Sequence, residues 1–221
     1  MKTYILYNSP NTKSVKNANI CLNSFQSFLS WKPELFDGCM PNDLEFLENR
    51  YNLKDDRARY KPDNKFYKSK KSCFYSHFEL WLKCIRMNKP ITIVEHDTYC
   101  NGDLPENFDF DSIVQFSAES MFKRFTRYAM AAKIYKKLDI GLHSMTIIPP
   151  LENWGHCIAG NTAYGITPKS AHILVEDCFE NGWQQNDLLM EEKLCKIEML
   201  VPSLIVYDYK RELSSSSTGV L

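Results

Sequence analysis

Residues 72–97 read as an amphipathic helix, a short break, and a buried strand that runs out into acids. Phe74, Phe78, Trp81 and Ile85 recur at helical spacing and so share one face. Asn88-Lys89-Pro90 stops the helix. Ile91 to Val94 form a short apolar run, the pattern of a strand covered on both faces. Glu95-His96-Asp97 follows at once.

The same alternation runs along the rest of the chain. Residues 2–8 (KTYILYN) read as a first strand. Ser9 suits an N-cap and Pro10 a first helical position. Val15, Ala18, Leu22, Phe25 and Leu29 then step by three and four. Residues 33–64 are polar and irregular and read as loop with a short helix. Residues 113–116, 145–148, 162–166 and 203–207 are strand candidates; 120–137 and 168 to about 180 are helical. Strands alternating with helices predict an α/β fold with a mixed, mainly parallel sheet, one domain over 1–211. Residues 212–221, with Ser214 to Ser217, read as a mobile tail.

Composition narrows the function. The 221 residues carry 27 Lys+Arg and 27 Asp+Glu, so no excess of positive charge coats the surface for non-specific nucleic-acid binding. The N-terminus lacks the apolar run of a signal peptide, and no stretch reaches the ~18 apolar residues of a membrane span. Eight cysteines show no CxxC spacing, against a zinc finger. Reduced, mostly buried thiols in a cytoplasmic protein are expected.

Several features carry candidate chemistry. An acid pair at the end of a buried strand sits where open α/β sheets bind ligands. In an extended segment Glu95 and Asp97 point the same way and can share a hard divalent cation, with His96 pointing elsewhere. They equally serve to cap the strand or pair with lysines. The strand-to-helix turn at Asn8 and Ser9 presents helix N–H groups to a phosphate, or is an ordinary capped helix. Lys61, Lys65, Lys68, Lys70 and Lys71, interleaved with Tyr60, Phe66 and Tyr67, form either a phosphate- or nucleic-acid-binding run or a solvated loop. His77 falls beside the apolar helix face, as a structural histidine or as a functional one near the acidic edge.

The pieces together resemble glycosyltransferase family 25, which includes lipopolysaccharide-synthesis enzymes and collagen galactosyltransferase domains. Leu35-Phe36-Asp37-Gly38 is similar to that family's A-x-D-G element, and Ser72 to Trp81 (SCFYSHFELW) to its G-C-x-x-S-H-x-x-x-W helix. Ile91 to Asp97 (ITIVEHD) is similar to its strand ending in E-D-D, and Gly160 to Ala171 (GNTAYGITPKSA) to its G-T-x-A-Y-x-I-S-x-x-G-A segment. The resemblance implies a GT-A-like nucleotide-sugar domain, a divalent metal (Mn²⁺, or Mg²⁺), a UDP-sugar donor and inversion at the sugar carbon. It makes Glu95 and Asp97 the metal ligands and Asp187 the general base, with His77 beside it in the catalytic set. Asn8, Ser9, Lys70 and Lys71 are then the donor-binding candidates. Two positions depart from the pattern: His96 stands where the family has an acid, and Ser69-Lys70 where it has Gly-Glu.

The function expected is sugar transfer to an acceptor hydroxyl on a glycan such as a lipopolysaccharide. Two alternatives are transfer to a hydroxymethylated base in viral DNA, whose 5-substituent lies in the major groove, and a non-catalytic binding module.

Overall fold

The computed structural model describes residues 1–124, 129–150, 155–157 and 162–207. The tail at 212–221 and the Gly160-Asn161 start of the fourth motif lie outside the described residues. The elements are β1 (Lys2–Tyr7), α1 (Thr12–Ser24), β2 (Lys32–Asp37), α2 (Leu44–Tyr51), α3 (Tyr67–Met87), β3 (Ile91–Glu95), β4 (Thr98–Cys100) and β5 (Ile113–Gln115). They continue with α4 (Ala118–Arg124), α5 (Ala129–Tyr135), β6 (Gly141–Ser144), β7 (Ala163–Ile166), α6 (Pro168–Asn181), α7 (Asn186–Leu189), β8 (Ile197–Val201) and β9 (Ile205–Tyr207).

Seven strands form one sheet in the order β2-β1-β3-β7-β5-β8-β6, while β4 and β9 pair separately. β7 and β6 run against the other five, so the sheet is mixed but mainly one-directional, as expected. Side chains alternate across the central strands. Tyr4 and Leu6 of β1 and Ile91 and Ile93 of β3 enter a core shared with α3 and α6. Ile5 and Val94 enter a second core with Ala18, Cys21 and Phe25 from the α1 side. Helices thus cover both faces, which is why the central strands read as apolar runs.

Some expectations need correction. α1 begins later than Ser9-Pro10 implied: Asn11 caps it, its side chain accepting the N–H groups of Lys13 and Ser14. All of β2 but its first residue, Lys32, lies inside the stretch 33–64 read as loop with a short helix. It is an edge strand, where Pro33 and its missing N–H are tolerated. α3 starts at Tyr67, five residues before the apolar periodicity becomes visible. The run 145–148 is not a strand: Met145–Ile147 is a 3-10 turn capped by Ser144, and the strand is the preceding segment, β6, paired with β8. None of the eight cysteines forms a disulfide among the described residues. No helix there is long and apolar enough to cross a membrane.

Phe74 is the hub of the α3 core, with its ring against Tyr75, Phe78, Trp81 and Trp183. Phe74→Ala is expected to cost about 3–5 kcal/mol of stability, read as a lower urea midpoint with an unchanged slope.

Candidate active site

Three parallel strands deliver their C-terminal ends to one edge. Tyr7 is in register with Asp37, and Leu6 with Glu95. Close approach to α3 closes the floor of a cleft there. Gly38 N–H donates to Tyr7 O at 2.8 Å, and a Cβ on Gly38 would meet Ser76 Oγ at 3.0 Å. Ser76 Oγ accepts Cys39 N–H at 2.8 Å and donates to Ser72 O at 2.9 Å. Asp37 Oδ1 accepts Ser9 N–H at 2.9 Å. The Phe36-Asp37-Gly38 element therefore ties β2 to the β1 turn and to α3.

The cleft measures about 160 Å³. Asn8, Cys73, His77, Glu95 and His96 line it. His77 is 1 % exposed. Its Nδ1 is 2.9 Å from Tyr164 Oη, which also accepts Trp81 Nε1–H at 2.8 Å. Its Nε2 lies 4.0 Å from Glu95 Oε1 and has no hydrogen-bond partner. Burial lowers the His77 pKa to about 3, so the ring is neutral at pH 7 and is a poor proton carrier there.

Glu95 and Asp97 do not form an extended pair. The strand ends at Glu95 and the chain turns at His96-Asp97. Asp97 is 3 % exposed, whereas Glu95 keeps about a third of its side chain open to the cleft. The turn also redirects His96, which was expected to point away and instead lines the cleft. Its Nδ1 donates to Leu6 O at 3.2 Å, and its Nε2 has no hydrogen-bond partner. Burial lowers its pKa, against a smaller opposing pull from Asp97.

Cys73 reports who its neighbours are. Burial pushes its thiol up to about 12, aided by the charges of Glu95, Asp187 and Asp97, with Lys70 pulling the other way. Asp187, in the first turn of α7 and far along the chain, thus acts on the same thiol as Glu95. Backbone ties hold that segment. Arg57 Nε donates to Gly182 O at 2.7 Å and Trp183 N–H to Lys54 O at 3.0 Å. Gly182 has φ +85°, and a Cβ there would lie 2.4 Å from Lys54 O.

Of the four donor-binding candidates, Asn8 lines the cleft and three do not; Lys70 is one of these, although its charge acts on the Cys73 thiol. Ser9 is exposed and does not line the cleft. Lys71 is 2 % exposed, and its ammonium contacts Glu48 at 2.7 Å, Asp55 at 2.9 Å and Tyr67 Oη at 2.7 Å. It braces α2, α3 and the Asp55 loop, where Trp183 Nε1 also donates to Asp55. The basic run is accordingly divided, since Lys61 is bound to the carbonyls of Asp55 and Asp56. Sequence reasoning missed Cys73 and His96. The family-like spacing of Cys73 and His77, four apart on one helix face, was the available signal.

The chain matches the family model described as glycosyltransferase family 25 (LPS biosynthesis protein) over residues 14–190. It belongs to glycosyltransferase family 25. The resemblance in the motifs is thereby confirmed, and the chain is a glycosyltransferase by family. No curated protein matches the sequence. Among solved structures it is similar to an active-site mutant of LgtC, at 8% identity and TM-score 0.47, covering 95% of this chain and 87% of that one. It is also similar to the apo form of mouse xyloside xylosyltransferase 1, at 9% identity and TM-score 0.43, covering 86% and 80%.

The Lys71 brace has a pH signature. Burial works to raise the Asp55 carboxyl, but hydrogen bonds from Lys71, Trp183 and Tyr67 outweigh it and hold its pKa below the ordinary value. A lowered folded pKa gives stability that is present above the unfolded value, about 3.9, and lost as pH falls through the folded one. Lys71→Met is expected to cost about 2 kcal/mol at pH 7, the worth of a charged hydrogen bond. The gap to the parent protein narrows in urea unfolding repeated near pH 3.

Proposed function

We propose that residues 1–211 act as one GT-A-like transferase domain that moves a sugar from a UDP-sugar to a hydroxyl of a glycan acceptor, with a divalent cation and with inversion. The observation that carries this reading is Glu95 in the lining of the cleft at the C-terminal strand edge, with Asp97 and Asp187 close enough for their charges to act on Cys73, which lines the same cleft. Acids in and around the cleft repel a diphosphate unless a cation stands between them. Glu95 and Asp97 are the residues assigned to hold it. Glu95 fits such an ion: its carboxylate is partly exposed, it lines the cleft, and carboxylate oxygen is the donor that a hard divalent cation takes. Once bound, the cation neutralises the diphosphate and stabilises it as a leaving group.

The remaining work falls to the chain's own groups. Asp187 takes the proton from the acceptor hydroxyl, a role that suits a carboxylate ionised at pH 7. The acceptor oxygen bonds to the sugar carbon as the bond to the diphosphate oxygen breaks. Attack from the face opposite the leaving group inverts that carbon. Lys70 brings a positive charge to the phosphates, and the buried Asn8 Oδ1, without a hydrogen-bond partner, accepts a hydrogen bond from the nucleoside. His77 orients groups at the cation rather than carrying protons. The division of the basic run favours a glycan over DNA as acceptor. The cytoplasm, where nucleotide sugars are made, is the compartment assigned.

A panel of nucleotide sugars, each with Mn²⁺ and with a chelator, tests the reading by thermal shift and slow donor hydrolysis. One UDP-sugar is expected to raise Tm only with metal, by mass action on the native state. Glu95→Ala abolishes that shift. Asp187→Asn keeps the shift and lowers kcat by about 10²–10⁴-fold. Silence to every donor, with and without metal, refutes the proposal.

A further inference from the structure

One cluster in the cleft is built for a different class of ion from the one the family implies. The ligand atoms of Cys73, His77 and Glu95 all lie within 4.8 Å of one another. All three residues line the cleft. A tetrahedral zinc, with bonds of about 2.0–2.3 Å, sets its ligand atoms roughly 3.3–3.7 Å apart, so a small contraction closes the set. His77 Nε2 is the clearest sign of a missing partner. It is 1 % exposed, aimed at Glu95, and without a hydrogen bond, which is costly for a buried nitrogen.

The surroundings orient that nitrogen. His77 Nδ1 faces Tyr164 Oη at 2.9 Å, and the His77 ring stacks on the Tyr164 ring. The Tyr164 hydroxyl is itself fixed by Trp81 Nε1–H. In the tautomer that carries its proton on Nδ1, His77 donates to Tyr164 Oη and offers the Nε2 lone pair to a metal, the arrangement that supports metal-binding histidines; a bound ion selects that tautomer. Cys73 stands one helical turn before His77 on α3, so the two ligands share a face, while Glu95 comes from the end of β3.

We propose that Cys73, His77 and Glu95 form a three-ligand site that takes Zn²⁺, or a like borderline-soft ion, in preference to Mn²⁺ and Mg²⁺, with its fourth position facing the cleft. Thiolate and imidazole ligands select zinc, whereas Mg²⁺ and Mn²⁺ favour sets made of oxygen. Binding releases the thiol proton to solvent as the metal–sulfur bond forms. The site shares Glu95 with the cation assigned above, so the two ions compete for one carboxylate. The proposal does not rest on sugar transfer.

The test uses the full chain stripped with a chelator, with no donor present. Co²⁺ is expected to bind one per chain and to give a sulfur-to-cobalt charge-transfer band and tetrahedral d–d bands. One equivalent of Zn²⁺ removes both, and a tenfold excess of Mn²⁺ or Mg²⁺ removes neither. Cys73→Ser loses the band and lowers Zn²⁺ affinity at least tenfold by calorimetry. Tyr164→Phe, which keeps the stacked ring, lowers affinity about 10–100-fold. Cys39→Ser, at the other half-buried cysteine of the cleft, leaves the band intact. Circular dichroism checks that each variant is folded. A band that survives Cys73→Ser, Co²⁺ bound without a sulfur band, or displacement by Mn²⁺ would each overturn the proposal. Failure here leaves the donor panel untouched, because that panel reads nucleotide-sugar binding.

Discussion

The hydroxyl of Tyr164 is the hinge of the site. It is buried where β7 meets α3, so leaving it unpaired would be costly. It accepts the indole N–H of Trp81 and engages Nδ1 of His77, one turn apart on the same helix. Those two bonds set the rotation of α3 on the sheet. That rotation turns His77 Nε2 and Cys73 toward Glu95, and Ser76 toward the turn after β2. With α3 turned otherwise, the strand ends would still line up but would face no opposing wall.

Charge is sorted with similar economy. Lys71, at the buried side of α3, is used up in a brace that joins α2, the Asp55 loop and Trp183. The cleft side keeps Glu95 and His96 in its lining, with Asp97, Asp187 and Lys70 close enough to act on the Cys73 thiol. The brace also leads into the segment that carries Asp187, through Trp183 and Gly182. A structural ion pair and the candidate base thus depend on one stretch of packing.

Much of the fold was legible because its signals are local. The α3 periodicity, the Ile91 to Val94 run, the Thr167-Pro168 start of α6 and the early strand each appear in a short window. Elements held by partners were not. β2 has a proline and no clean alternation, and it exists because β1 offers it a parallel edge. The run 145–148 has strong strand preference, yet its local cap turns it into a 3-10 turn, and the preceding residues pair with β8 instead. The Lys61 to Lys71 run looked like one surface, although its members end in quite different surroundings.

The sequence by itself determined the family, the α/β alternation and the strand that ends in acids, because spacing and residue type are properties of the chain alone. It also marked Glu95, His77 and Asp187 as candidates through motif order. Only the tertiary structure decided which of those groups meet. The turn at His96-Asp97 breaks the extended geometry that a two-residue spacing assumes, burying Asp97 and swinging His96 into the cleft. Cys73 gains its significance only when α3 lies across the end of β3, since a thiol becomes a ligand through its neighbours in space. Lys71 loses its place at the donor for the same reason: a buried ammonium goes to the carboxylates packed against it.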